Sequence, residues 1–317
     1  MIKDPSLTLF DLTVCLSDAA DLVSPALSNH HKQVAYAASQ IGAEMGLDSE
    51  SQRDLVLAGA VHDLGALSLT ERIETLDFET SEKERHTVIA HALLKSFTPF
   101  SHIADIVRHH HRFWQNGKEE DWPVGEVPLE SHVLHCADRA VVLINASCGI
   151  LGQTHTIVDT IGAKRGPMFH PDVVDAFISL AKKEYFWLDL VSPSVYRVLR
   201  RSARTKTHSL DLSSLRALAD FFASIIDFRS RFTASHSAGV AATAAALAKC
   251  TGFCKREKEY IRIAGLLHDL GKLAVPREIL EKPGKLEPDE FDIVRAHTYH
   301  TFRILDTLPD FETINSW

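Results

Sequence analysis

Apolar residues recur along most of the chain at the spacing of one face of an α-helix. They include Leu9, Leu12, Leu16, Ala19 and Ala20; Val34, Ala37, Ala38 and Ile41; and Ile261, Ala264 and Gly265, with His268 at the next position of the same face. The 3.6-residue period places such residues on one side of a helix, so these runs predict amphipathic helices. The hairpin signal Asn116-Gly117 lies among polar residues, which favours a loop there. We predict an all-α fold.

The chain also matches itself at a constant offset of 206 residues. His30 falls on His236, and the HDLG sequence at 62–65 falls on the HDLG sequence at 268–271. The register holds without a gap over residues 21–73. This period is far longer than that of solenoid repeats, so it predicts two tandem helical domains that are copies of one unit.

We place the first domain at residues 1–191, a linker at 192–212 and the second domain at 213–317. The linker opens with Ser-Pro-Ser and then carries a basic run, made of Arg197, Arg200, Arg201, Arg204 and Lys206. A solvated linker or helix is the favoured interpretation of this run, and a phosphate contact is the alternative.

Composition narrows the class of protein. The net charge of −8 disfavours binding to duplex DNA or RNA, which needs clustered Lys and Arg. Five cysteines without a CxxC pair favour a reducing cytoplasm. The apolar stretch at 140–151 is too short to span a bilayer, and the N-terminus has no signal-peptide pattern. We expect a cytoplasmic protein without a membrane partner, and the sequence leaves a homodimer open.

Histidine is the unusual residue, with 18 copies, of which 14 precede residue 209. In each copy, a His stands 32 residues before a His-Asp pair. The first copy adds His86, the run 109–111 and Asp138, and at most two of the three consecutive imidazoles are expected to be ligands, with the third exposed. Mixed imidazole and carboxylate sets suit Fe, Mn or Zn. Two such ions about 3.5–4 Å apart can activate water and clamp a phosphoryl group.

The other nine histidines are expected to have ordinary core or surface roles. They are His31, His91, His102, His132, His135, His155, His170, His208 and His300.

Three segments of the second copy resemble the HD-GYP family of HD-domain phosphodiesterases. They are IDFRSRFTASHSAGVA (226–241), HDLGKLAVPREILEKPGKL (268–286) and HTYHTFRIL (297–305). The resemblance implies an all-α fold and a site for two or three metal ions. It also implies hydrolysis of a bacterial cyclic dinucleotide, either cyclic di-GMP or the mixed GMP–AMP ring, to a linear dinucleotide.

In the second copy, the resemblance assigns a substrate-phosphate contact to Lys272, and catalysis to Asp269 together with Lys272. It assigns metal positions to His236, His268, Asp269 and His297. Some family members carry a Glu that binds a third ion, and Phe232 and Ala26 stand at those places here. We therefore expect two divalent ions per complete site, drawn from Fe, Mn, Zn and Ni.

The first copy resembles the same family over roughly residues 9–190, and GPMFHPDVVDAF (166–177) is similar to the family's closing segment. Its matching metal positions are His30, His62, Asp63, His86, His110, His111 and Asp138. Ala66 replaces the phosphate-binding Lys, no KPG stretch follows, and Asp121-Trp122-Pro123 stands near the place of GYP. We expect this copy to be regulatory or structural.

The second copy is expected to be incomplete within this chain. The step from His86 to His110, applied to His297, lands at position 321, beyond Trp317. The paired His, the GYP loop and the late Asp would then be missing, and the chain by itself is expected to be inactive. Two alternatives stay open: a nucleotide phosphohydrolase of the wider HD superfamily, and a non-catalytic metal- or nucleotide-binding signalling module.

Overall fold

The structure is a computed structural model, and it describes residues 5–21, 29–66, 84–117, 127–203, 208–209, 211–229 and 236–317. The strands are β1 (Ser6–Leu7) and β2 (His208–Ser209). The helices up to residue 203 are α1 (Leu9–Asp21), α2 (His30–Glu44), α3 (Ser49–Val61), α4 (Glu84–Ser96), α5 (Ala104–Arg108), α6 (Leu129–Val142), α7 (Thr154–Ala163), α8 (Pro171–Ala181), α9 (Glu184–Leu190) and α10 (Val195–Ala203). The later helices are α11 (Leu212–Arg229), α12 (His236–Cys250), α13 (Lys255–Leu267), α14 (Arg277–Leu280), α15 (Pro288–Arg295), α16 (His297–Leu305) and α17 (Glu312–Asn315). Short 3-10 turns lie at Thr98–Phe100, Gln115–Gly117, Ile150–Gly152 and Leu270–Ala274.

The predicted all-α fold is confirmed. Its strands form one two-residue antiparallel ribbon among the described residues, with Ser6 opposite Ser209 and Leu7 opposite His208. The three apolar runs that predicted helices lie in α1, α2 and α13. Asn116 lies in a 3-10 turn with φ 56°, not in a hairpin. No helix among the described ranges is both long enough and apolar enough to cross a membrane.

The chain divides into two compact units. The central unit comprises residues 29–205, and the split unit comprises residues 1–28 together with 206–317. This division differs from the boundaries predicted above, because α1 belongs to the split unit. There α1 packs against the 3-10 turn at 270–274 and against α16. Its side chains Phe10, Leu12 and Leu16 are buried.

The segment predicted as a linker contains α10, which belongs to the central unit. Val195 and Leu199 are buried where α10 packs against α2 and α3. Arg197, Arg200 and Arg201 lie on the exposed side of this helix. The basic run in 192–203 is therefore the solvated face of an amphipathic helix, because its apolar residues are four apart and face the core.

Each unit contains two consecutive helices that pack against each other, and a His-Asp sequence follows the second helix. In the central unit, α3 begins after Asp48, whose carboxylate accepts hydrogen bonds from the backbone N–H groups of Glu50 and Ser51 at 2.9 and 2.8 Å. In the split unit, α13 begins after Cys254, whose N–H donates to the Glu257 carboxylate at 2.8 Å. These caps set where both 13-residue helices start, and so where the His-Asp pair that follows each helix is placed.

The two helix pairs match in length and in one close contact. Helices α2 and α12 have 15 residues each and start 206 positions apart. A Cβ at Gly59 would lie 2.6 Å from Cα of Ala35, and one at Gly265 would lie 2.8 Å from Cα of Ala241. Only glycine permits this approach of the second helix to the first.

Candidate metal centres

The first cluster lies in the central unit, where several helix ends meet. It comprises His30, His62, Asp63, His86, His110, His111 and Asp138. His30 opens α2, and the His62-Asp63 pair follows α3. His86 lies in the first turn of α4, the paired histidines follow α5, and Asp138 projects from α6. The structure thus brings together residues that span more than a hundred positions of sequence.

Asp63 stands at the middle of the first cluster. Its Oδ2 lies 3.4 Å from Nε2 of His62, and its Oδ1 lies 3.4 Å from Nε2 of His86. Oδ1 is also 3.7 Å from Nε2 of His110. The two oxygens therefore face different imidazoles, which is the arrangement that a bridging carboxylate needs.

Asp138 faces the other side of the cluster. Its Oδ1 lies 3.3 Å from Nε2 of His30 and 3.7 Å from Nε2 of His62. Its Oδ2 accepts hydrogen bonds from Nε and Nη2 of Arg139 at 3.1 and 2.5 Å. Arg139 and Asp138 are both almost completely buried.

Backbone carbonyls orient the imidazoles toward the centre. His62 Nδ1 donates to the carbonyl of Gly59 at 2.8 Å, and His110 Nδ1 donates to that of Val107 at 2.7 Å. This leaves the Nε2 lone pair of each ring for a metal ion, as in known metal-binding histidines.

The residues present fit a bound metal. Several buried polar atoms of the first cluster have no hydrogen-bond partner: Nε2 of His62, His86 and His110, both ring nitrogens of His111, and Oδ1 of Asp63 and Asp138. Leaving such atoms unpaired costs free energy, and a divalent cation would satisfy them. Asp63, His86, His110 and His111 form one candidate ligand group, and His30, His62 and Asp63 form another.

Electrostatics in the first cluster favour the forms that bind metal. Burial lowers the pKa of His62 to about 3 and that of His86 to about 4, so both rings are neutral at pH 7. Burial opposes ionisation of Asp63, but the adjacent imidazoles, with His62 first, hold its pKa well below the usual range. Burial likewise opposes ionisation of Asp138, but Arg139, His30 and His62 together hold its pKa well below the usual range.

The second cluster lies in the split unit and comprises His236, His268, Asp269 and His297. Asp269 Oδ2 lies 3.2 Å from Nε2 of His268 and 3.4 Å from Nε2 of His236. Its Oδ1 lies 3.4 Å from Nε2 of His297. The Nδ1 atoms of His268 and His297 donate to backbone carbonyls of Gly265 and Val294 at 2.8 and 2.5 Å. The contacts of Asp269 with His268 and His297 therefore match those of Asp63 with His62 and His86. His236 faces Asp269, however, whereas His30 faces Asp138.

Two features distinguish the second cluster. Lys272 Nζ lies 2.6 Å from Asp269 Oδ2, whereas Ala66 occupies the matching position of the first copy. The imidazoles of His236 and His268 are 43% and 34% exposed, so solvent reaches them. The hydrogen bond to Asp269 raises the pKa of His268. Burial opposes ionisation of Asp269, but His268 and Lys272 hold its pKa far below the usual range.

A glycine in each HDLG sequence lets the third histidine approach. A Cβ at Gly65 would collide with the backbone carbonyl of His86, and one at Gly271 would collide with that of His297. In the split unit Thr301 adds a link, because its hydroxyl accepts from the Gly271 N–H at 2.8 Å and donates to the carbonyl of His268 at 3.0 Å. The glycine is therefore part of the site's construction.

Sequence reasoning missed some residues of the first cluster. The expectation that one of the three consecutive histidines is exposed is wrong, because His109 and His110 are buried and His111 is half-buried. His31 packs with its ring centroid 5.2 Å from that of His62, and His135 lies 6.2 Å from His111. The only signal for them was proximity in sequence to assigned ligands, as it was for Arg139. Phe232, Ala26 and the segment 121–123 lie outside the described residues.

Comparison with known proteins finds one family model twice in this chain. The HD-domain model matches residues 14–153 and 220–316. Over 293 residues the chain is 26% identical to 3'3'-cGAMP-specific phosphodiesterase 1 of Vibrio cholerae, which covers 90% of this chain and 68% of that protein. It is 33% identical over 178 residues to 3'3'-cGAMP-specific phosphodiesterase 3 of the same organism, covering 55% of this chain and 39% of the relative.

A shorter match joins the chain to a cyclic di-GMP phosphodiesterase of Pseudomonas aeruginosa, at 45% identity over 74 residues, or 23% of this chain and 18% of the relative. Among solved structures, a cyclic GMP-AMP-specific phosphodiesterase of V. cholerae (V-cGAP3) shares the fold, with a TM-score of 0.72 and 22% identity. That alignment covers 95% of this chain and 80% of the other. Both matched stretches of the family model carry a His-Asp pair at the centre of an imidazole cluster, and the chain belongs to the HD-domain family.

Proposed function

We propose that the protein is a metal-dependent phosphodiesterase that hydrolyses a bacterial cyclic dinucleotide to a linear dinucleotide, with catalysis at the second cluster. The observation that carries this proposal is the position of Lys272, whose ammonium group lies beside the central carboxylate of a solvent-accessible imidazole cluster.

The names of the relatives support the substrate class. The two matches that cover most of this chain are named as 3'3'-cGAMP-specific, and several shorter matches are named as cyclic di-GMP phosphodiesterases. The mixed GMP–AMP ring is therefore the first substrate to test, and cyclic di-GMP is the second.

The second cluster would hold its divalent ions through His236, His268, Asp269 and His297. Such ions, when bound, polarise a phosphoryl oxygen and lower the pKa of water. Asp269 presents its two oxygens to different imidazoles, so it would hold bound ions through both oxygens, and its carboxylate would be the group that accepts a proton. Lys272 supplies a cation for a phosphate oxygen, where negative charge grows in the transition state.

The first cluster carries no such cation on the turn that follows its His-Asp pair. Ala66 is completely buried at the place that corresponds to Lys272. This difference supports a regulatory or structural role for the first copy.

Metal analysis and hydrolysis assays on the full-length protein test the proposal. The substrate panel contains 3'3'-cGAMP, cyclic di-GMP and ordinary nucleoside phosphates. Asp269→Asn should lower turnover of the cyclic dinucleotide by at least about 10²-fold, the scale of losing a preorganised electrostatic contribution. Asp292→Asn is the matched control, because this carboxylate is exposed and pairs only loosely with Arg295 at 3.4 Å.

Equal rates for Asp269→Asn and the wild type would contradict the assignment of catalysis to the second cluster. Loss of turnover in Asp63→Asn, with Asp269→Asn active, would place catalysis in the first cluster. Hydrolysis of nucleoside phosphates alone would replace the substrate class by that of a nucleotide phosphohydrolase.

A further inference from the structure

We propose that the first cluster is a closed structural metal centre, which Arg139 completes by occupying one oxygen of Asp138. This inference rests on the metal-binding part of the proposed function, and it does not depend on which cyclic dinucleotide is hydrolysed.

Most ligand atoms of the first cluster are shielded from solvent. His111 is half-buried as a residue, but both of its ring nitrogens are buried. The side chains of His62 and His110 are 0% exposed, that of Asp138 is 1% exposed, and those of Asp63 and His86 are 4% exposed. Catalytic metal sites keep an open position for water or substrate, whereas structural sites are closed by protein ligands. Within the part of the chain that the structure describes, these ligand atoms are not open to a substrate as large as a cyclic dinucleotide.

The sealed cluster nevertheless needs a cation. Its inward-facing ring nitrogens and carboxylate oxygens are buried without hydrogen-bond partners. In a core, such atoms would destabilise the folded unit. An ion bound in the folded state and not in the unfolded state stabilises the fold by its binding free energy.

Arg139 determines how Asp138 can bind. Two guanidinium nitrogens bond Oδ2 of this carboxylate, and only Oδ1 faces His30 and His62. Asp138 is therefore a one-oxygen ligand in a fixed orientation. Arg139 is itself almost completely buried, so its charge is committed to the ligand shell and is not presented to a substrate. It is a positioning residue.

The two clusters should therefore differ in how fast they lose metal. Purified full-length protein loaded with Mn²⁺ or Zn²⁺ is challenged with excess EDTA at pH 7, and the retained metal is measured over time. The wild type should lose metal in two phases that differ at least about tenfold in rate. Asp269→Asn should remove the fast phase and keep the slow one.

Variants at Arg139 test its role without an activity assay. Arg139→Met should accelerate the slow phase about 10- to 100-fold, the usual effect of removing a residue that orients a metal ligand. Arg165→Met is the matched control, because Arg165 makes two bonds to Asp175 at 2.9 and 2.7 Å on the exposed surface. If Arg139→Met does not fold, Arg139→Lys keeps the charge with fewer donors and should accelerate the slow phase to a smaller extent.

A single fast phase in the wild type, or no retained metal in Asp269→Asn, would overturn the closed-centre proposal. An Arg139→Met or Arg139→Lys rate equal to that of the control would overturn the role of Arg139. A protein with the slow phase but without hydrolysis would contradict the proposed function alone.

Discussion

The ammonium group of Lys272 lies 2.6 Å from a carboxylate oxygen of Asp269. If Lys272 contacts the substrate phosphate, as proposed above, Lys272→Met should lower hydrolysis by about 10²- to 10³-fold while metal stays bound. Rates and metal content of the same samples check this. Lys249→Met, on the exposed side of α12, is the control. Loss of metal together with activity would instead make Lys272 part of the ligand framework.

Gly271 should tolerate no side chain, because a Cβ there meets the carbonyl of His297. Gly271→Ala should destabilise the split unit by about 1–3 kcal/mol, as overpacking does, and should weaken metal binding at the second cluster. Gly239→Ala is the matched control, since its Cβ would meet nothing within 4 Å on a helix. The control should gain about 0.5–1 kcal/mol from helix propensity. Thermal unfolding and metal titration distinguish the two, and a stabilised Gly271→Ala would contradict the packing.

Acid should destabilise the central unit through its buried histidines. Burial, followed by the neighbouring His170 and His109, lowers the pKa of His132 to about 4 from 6.5. Between pH 6.5 and about pH 4, the imidazole of His132 binds a proton in the unfolded chain and stays neutral in the folded chain. The free energy of unfolding therefore falls as the pH drops below 6.5, by about 1.4 kcal/mol per pH unit for each such group.

Urea unfolding of the metal-free protein at pH 7 and pH 5 measures this loss. His132→Gln should reduce the difference between the two pH values. His155→Gln should leave it unchanged, because His155 is exposed beside Asp159. Equal pH dependence in all three proteins would contradict a neutral, buried His132.

Shortening a buried side chain of α1 should destabilise the split unit and leave the stability of the central unit unchanged. Phe10 is almost completely buried there, and Phe10→Ala should cost about 3–5 kcal/mol. Hydrogen exchange followed by mass spectrometry should show faster exchange within 206–317 and no change within 29–205. Leu188→Ala, at an exposed apolar position of α9, is the control. Faster exchange confined to 29–205 would show that α1 stabilises the central unit instead.

Much of the protein could be predicted because the signals are local or repeated. The spacing of apolar residues in α1, α2 and α13 predicted helices, since the buried face of a helix carries an apolar residue every three or four positions. The recurrence of His62-Asp63 as His268-Asp269 identified the centres of both clusters. The offset of 206 then located the histidine that opens each helix pair.

Other features depended on contacts between residues far apart in sequence. The apolar pattern of α1 does not indicate which hydrophobic core the helix joins. Its packing against α16 shows that it joins the core of the split unit. The approach of Asp138 to His30 and His62 likewise depends on the packing of α6 against α2 and α3, which lie far from it in the sequence. The sequence by itself therefore predicted the helices, and it led to the proposed repeat and the two proposed ligand sets. Only the tertiary structure decided that one set is sealed and the other open, because exposure depends on which helices surround a site.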